Sequence, residues 1–296
     1  MGLKTGVTFA LLLMVQAGCI STKRVVPAAQ RPLPAQTVGR SELLLSLEEK
    51  SRRVQTLQGT VTLDVSGGAT RTGVLTQYRQ TKGYILVERP GHIRIKGQAP
   101  LALATVFDMV SDGSEYRVSI PINNKFIIGN AHASATDKNP VLNLRPQHIM
   151  NALFVDVVPY ENSPQVRSTL EEATEGRRSF YVFSFIDVAG PDAQLIEKLW
   201  VDRTDMQIAR KQIFGKDGTP DTNVEYSGYE TEGGGGFPQI VVIQRPIEDY
   251  TLRITFQRTN LNEKLATDAF TLERPPGSEL VQLEPEGGSG SNSSTR

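Results

Sequence analysis

The sequence predicts an α+β fold: one curved antiparallel sheet of about eleven strands wrapped around helices, in a single domain of roughly 240 residues. Three observations carry this reading. Apolar residues alternate with polar ones at a period of two over most of the chain, and the runs are separated by turn chemistry such as Asp112-Gly113, Asn123-Asn124 and Asp217-Gly218. Helical spacing occurs in two stretches, 41–54 and 146–157. Some strands are apolar on both faces, with Phe180, Val182 and Ile186 on one side and Tyr181, Phe183 and Phe185 on the other. A sheet with one solvated face alternates more cleanly, so the concave side is covered, either by a packed helix or by a bound apolar ligand.

The chain opens with Lys4 and the apolar run Val7 to Val15, too short to span a bilayer of ~30 Å as a stable helix, which reads as a secretory leader over residues 1–18. Gln16-Ala17-Gly18 precede Cys19, the single cysteine, so no internal disulfide can form and no thiol nucleophile exists elsewhere. From 19 to 39 the chain carries Pro27, Pro32 and Pro34 and few large apolar residues, the composition of an extended tether. Ser41 is a candidate helix cap, Glu42 suits the positive end of the helix dipole, and Leu43, Leu44, Leu47 and Val54 make an amphipathic stripe. Leu57, Gly59, Val61, Leu63 and Val65 alternate with polar residues as a half-buried strand. Strands follow over 71–79 and 83–88, and Pro90, which cannot donate to a ladder, closes the second.

Between Val87 and Gly129 four strands succeed one another, at 93–96, 103–110, 116–120 and 125–128. Asp137 to Asn143 is a polar connector, and Pro146 suits the first position of a second helix whose stripe is Ile149, Met150, Leu153, Phe154 and Val157. Strands return at 180–188, 195–202, 207–214, 222–229, 239–244 and 250–257, with Gly233 to Gly236 as a flexible hairpin tip. The domain runs from 40 to 284, and the Gly-Ser-rich residues 285–296 read as a disordered tail.

The central block has an ordered set of motifs. Arg89-Pro90 precedes a strand, Pro100-Leu101 forms a loop, Ser111-Asp112-Gly113 turns the next strand, and Pro121 precedes an aromatic-containing one. Further on come Leu199-Trp200-Val201-Asp202-Arg203, Ile208 and Arg210. From Leu43 to Leu283 the chain resembles the bacterial lipoprotein-localisation family (LolA/LolB-like), the periplasmic carrier and its outer-membrane receptor. The resemblance implies an incomplete barrel whose apolar cavity accepts acyl chains, with Arg89 hydrogen-bonded to a helical lid and Leu101 protruding as a membrane-insertion loop. Without it, Arg89 reads as a strand-end residue in a surface ion pair with Glu88 or a neighbour, and Leu101 as a residue folded back onto the sheet edge.

The residues before Cys19 likewise resemble a lipobox, which would make Cys19 the lipidated amino terminus; the alternative is an ordinary leader with an incidental cysteine. Ile20, where lipoproteins retained at the inner membrane tend to have Asp, favours export to the outer membrane, facing the periplasm.

Catalytic chemistry finds little support. The three histidines, His92, His132 and His148, lack the spacing of a zinc site, no Gly-x-Ser-x-Gly elbow occurs, and the glycine run lacks the Lys-Ser/Thr of a phosphate loop. The chain carries 32 Lys plus Arg and 32 Asp plus Glu; Lys4 is the one charge in the leader, which leaves 31 against 32 after its removal, with no basic run to bind nucleic acid. No catalytic residue, metal or cofactor is expected.

Alternation nominates Phe107, Met109, Tyr116, Phe126, Phe154, Phe183, Trp200 and Phe256 as cavity lining. The expected function is a lipid-anchored periplasmic protein that binds acyl chains and relays lipoproteins or other lipids. Its partners would be those acyl chains, the membrane through Cys19 and a periplasmic carrier protein. The alternative is a non-enzymatic structural or sensing envelope lipoprotein of the same fold with a packed, ligand-free interior.

Overall fold

A computed structural model describes residues 31–68, 75–99, 104–131, 144–229 and 236–283. Cys19, Leu101 and His132 lie outside the described residues. Helix α1 spans Arg40–Arg53, with Glu42 in its first turn and Lys50, Arg52 and Arg53 in its last, matching the helix dipole at both ends. Its N-cap is Gly39, not Ser41, which sits inside the first turn. Strands β1 (Thr56–Gly67), β2 (Thr76–Glu88), β3 (His92–Gln98), β4 (Thr105–Ser111), β5 (Glu115–Ile120) and β6 (Lys125–Asn130) follow. Helices α2 (Pro146–Leu153) and α3 (Val158–Glu161) lead to β7 (Val166–Glu175), β8 (Arg178–Asp187), β9 (Gln194–Asp202), β10 (Ile208–Phe214), β11 (Pro220–Tyr229), β12 (Pro238–Arg245), β13 (Tyr250–Leu261) and β14 (Glu279–Leu283).

All fourteen strands join one sheet, in the order β14-β6-β5-β4-β3-β2-β1-β13-β12-β11-β10-β9-β8-β7. This corrects the expected count of about eleven. The chain begins mid-sheet at β1, winds to one edge at β6, crosses to the far edge at β7, and winds back until β13 pairs with β1. Two antiparallel meanders are thus stitched at the centre. The crossing segment carries α2, which packs against β3 and β4 of the first meander and β12 of the second. A helix touching both halves requires the sheet to curl around it.

Three sequence expectations change. The strands expected at 71–79 and 83–88 are a single β2 over its described length. Gln80 takes a left-handed φ of 54°, its N–H donates to Asp64 Oδ1 at 2.7 Å, and the pairing register shifts between Leu63 and Val65, so a bulge absorbs what reads as a turn. Strand β7 was not anticipated. Its apolar residues are only Val166, Leu170 and Ala173 among three glutamates and an arginine-bearing polar run, a composition that an edge strand permits because one ladder partner, β8, suffices to hold it. The second helix ends at Leu153, four residues short of Val157, and Phe154 is already extended. The β-branched Val155 and Val157 favour that conformation.

Two apolar clusters fill the concave side. The larger joins both meanders, with Ile85, Ile95, Met109, Val118 and Ile127 aligned in one row across β2 to β6 and Ile149, Met150 and Leu153 of α2 above the sheet. The smaller seats Leu43, Leu44 and Leu47 of α1 on Tyr181, Phe183, Phe185, Leu199 and Val201. Each buried leucine contributes roughly 1.5–3 kcal/mol, which fastens α1 to β8 and β9. The covering demanded by the two-faced β8 is therefore a packed helix. On its opposite face Phe180, Val182 and Trp200 form a small outer cluster.

The tether expected to run to residue 39 is docked from Leu33 onward. Leu33 N–H donates to the Arg177 carbonyl at 2.9 Å, Gln36 N–H to the Arg203 carbonyl at 2.7 Å, and Arg203 Nε returns a bond to the Gln36 carbonyl at 2.9 Å. After β13 the chain passes over the outer sheet face, where Arg94 Nη1 donates to the Ala269 carbonyl, and the last described strand, β14, runs parallel to β6.

Candidate functional site

At the end of β2, Arg89 reaches to the helical side of the sheet. Its Nη1 donates to the Ser51 carbonyl in the last turn of α1 at 2.8 Å, and its Nη2 to Asp156 Oδ2 at 2.9 Å. The guanidinium lies 5.5 Å from the Phe154 ring centroid, a cation–π distance. One side chain thus ties β2, α1 and the segment that follows α2. The ion pair is made with Asp156 rather than Glu88.

The same segment is held from the other meander. Tyr226 Oη donates to the Ala152 carbonyl at 2.7 Å, and Lys211 Nζ to the Asn151 carbonyl at 3.3 Å, satisfying two of the carbonyls that a helix leaves open at its C-terminal end. Lys211 also pairs with Glu197 at 3.4 Å, both buried, and Tyr160 Oη donates to Glu197 Oε2 at 3.0 Å. Burial, and then the Glu197 charge, pushes the Tyr160 hydroxyl well above its ordinary range; burial does the same for Tyr226. Both remain neutral donors at physiological pH.

Between α1 and this segment lies a mainly apolar cleft of about 100 Å³. Leu47 of α1 and its C-cap Val54 line it on one side, Leu153 to Val155 from the end of α2, and Ile208, Tyr229 and Phe237 from the second meander. Phe237 packs edge-on against Phe256 at 5.3 Å between centroids and tilts against Phe154 at 6.4 Å. Tyr229 Oη donates to the Ile208 carbonyl at 2.8 Å, so its polar end is satisfied.

The eight residues nominated as lining separate into several places. Phe154 alone among them lines the cleft. Phe107, Met109, Tyr116 and Phe256 are buried in the main core, and Phe183 belongs to the cluster beneath α1. Trp200 faces the opposite side of the sheet, with Lys198 and Arg210 at cation–π distance, and Phe126 is buried outside all three apolar clusters, paired in register with Leu280 of β14. Strand alternation gives the face but not the curvature, so it cannot separate the floor of a cleft from solid core. Tyr226, Tyr229 and Phe237 were missed, although Tyr226 and Tyr229 are aromatic residues of β11 and Phe237 immediately precedes β12. Among the described residues, no group of three or more His, Cys, Asp or Glu side chains could hold a metal ion, and no helix is long and apolar enough to cross a membrane.

The sequence matches no family model and no curated protein. Among solved structures the chain is similar to a DUF1329 family protein from Desulfovibrio piger, with a TM-score of 0.54 and 13% identity over 78% of this chain and 95% of that one. It is also similar to a LolA superfamily protein from Nitrosomonas europaea (TM-score 0.47, 11% identity, 77% of this chain and 97% of that one). A third is a putative outer membrane lipoprotein-sorting protein domain from Vibrio parahaemolyticus (TM-score 0.48, 7% identity, 77% and 94%). At such identities the likeness is one of fold. The fold is an open, curved antiparallel sheet around helices, here with fourteen strands.

Proposed function

We propose that this protein is a lipid-anchored periplasmic carrier that takes acyl chains into the cleft under α1 and relays lipoproteins or other lipids to the outer membrane. The observation that carries the reading is the cleft itself, an apolar opening between the helices and the sheet whose wall, the segment 151–160, is tied down by a few polar contacts. Ties of that kind can be exchanged without unfolding the sheet. Burying each methylene yields ~0.8 kcal/mol, so a partly enclosed chain is held against water yet released to a bilayer. The mechanism is transfer, with no bond made or broken.

One observation favours the second reading, a packed envelope lipoprotein that acts through its surface. Phe107, Met109 and Tyr116 are only 2–3% exposed, so the centre of the concave face is filled, and the cleft of about 100 Å³ is smaller than the ~150 Å³ cavity that takes benzene. Acyl binding therefore requires α1 or segment 151–160 to move away from the sheet. Titration of the purified protein with a fluorescent fatty-acid probe separates the readings. Saturable binding is expected; its absence would leave the packed reading standing.

A further inference from the structure

The cleft under α1 carries charge of one sign. Among the described residues that line it, the charged side chains are Lys50 and Arg53, both basic. Arg53 is neutralised by Glu49 at 2.6 Å in solvent, and nearby Arg89 by Asp156. Lys50 is placed differently. Its Nζ donates to the Met206 carbonyl at 2.7 Å and to Gln207 Oε1 at 3.3 Å, both neutral oxygens, and it makes no ion pair among the described residues. Burial lowers its pKa, an effect that the more distant Asp205 carboxylate opposes. A half-buried ammonium with no carboxylate in contact is only partly compensated, and an arriving anion would complete the compensation.

The geometry points to a single-chain anionic amphiphile, of the fatty-acid class, as the ligand of this cleft. Its carboxylate would meet Lys50, and its chain would run between Leu153, Phe154 and Phe237. This assignment rests on the acyl-chain reading above and narrows it, since that reading requires an apolar chain but says nothing of the head. The amide and carbonyl oxygens that hold Lys50 orient the ammonium at the cleft, and a carboxylate there forms a charge-assisted hydrogen bond in a partly dry setting.

The test is displacement of the fluorescent probe from the purified protein by dodecanoate and by methyl dodecanoate, which share a chain and differ in charge. Dodecanoate is expected to bind roughly tenfold tighter, a ratio typical of one charge-assisted contact. In Lys50→Gln the ratio should fall toward one, and in Lys50→Glu dodecyltrimethylammonium should displace better than dodecanoate. Circular dichroism establishes that each variant is folded, and the wild-type ratio stands as a measurement whether or not they are. Equal affinities in the wild-type protein, or an undiminished ratio in folded Lys50→Gln, would overturn the inference while leaving acyl binding intact. If no amphiphile binds at all, the acyl-chain reading falls with it.

Discussion

Arg89 illustrates how one side chain joins separate parts of the fold. Its three contacts are individually modest, because the Arg89–Asp156 pair retains partial solvent access. Arg89→Leu is expected to lower stability by about 1 kcal/mol and to speed probe release several-fold, since the wall of the cleft loses its tie to both β2 and α1. Thermal unfolding and stopped-flow dissociation on the same variant check this; a large fall in Tm with unchanged release would assign Arg89 to architecture alone. Asp112 is a second residue with a local task. Its carboxylate accepts the Ser114 and Glu115 N–H groups at 2.8 and 2.9 Å, and those bonds hold its pKa below the usual carboxylate range. The folded value is lower than the unfolded one, so its contribution to stability is complete above the unfolded value near ~3.9 and is lost as pH falls through the folded value. Asp112→Ala should therefore be less stable than wild type at pH 7, with the gap closing below about pH 4 in denaturant titrations.

At the scale of elements, the buried Lys211–Glu197 pair stands where β9 and β10 meet the end of α2. Lys211 occupies a concave-face position, in register between Leu199 and Val224, where an apolar residue would otherwise pack. Glu197 Oε1 is buried with no hydrogen-bond partner, so the buried carboxylate depends on Lys211 and Tyr160 for its compensation. Lys211→Met should destabilise the protein by about 3 kcal/mol, because it strands a buried carboxylate. Adding Glu197→Met should restore much of that loss, since replacing both members of a buried pair is often close to neutral. Urea unfolding of the two single variants and the double variant measures the coupling, and additive losses would show that the pair does not act as a unit.

At the scale of the whole molecule, the proposed role requires an anchor and a means of delivery, both assigned to residues outside those described. Cys19→Ser should leave the leader uncleaved by the lipoprotein peptidase and remove the protein from the outer-membrane fraction. Maturation and pelleting at wild-type levels would refute the lipobox. Leu101→Glu should leave folding and probe binding intact while slowing transfer into liposomes. Fully inserting a leucine is favourable by ~1.5–3 kcal/mol, enough to orient a tethered domain but not to hold it. Strong destabilisation would make Leu101 a core residue, and unimpaired transfer would remove its membrane role. On the proposed anchoring at Cys19, docking of the chain from Leu33 onward would place transfer close to the membrane surface.

The sequence by itself determined the material of this fold. Alternation in β1, β3 and β13, the Asp-Gly turns and the two amphipathic stripes specify strands and helices locally, because side-chain direction has a fixed period in each. It also required a cover for β8, whose two apolar faces cannot both meet water. Only the tertiary structure decided where the chain returns. The pairing of β1 with β13, the parallel addition of β14 and the recruitment of polar β7 depend on partners more than a hundred residues away or on an edge position, and no local pattern encodes either. The candidate site divides the same way. Arg89 was singled out through its Pro90 neighbour and the resemblance it carries, but its contacts with Ser51 and Asp156 are tertiary, and Lys50, Tyr226, Tyr229 and Phe237 come to one cleft only when the two meanders close around α2.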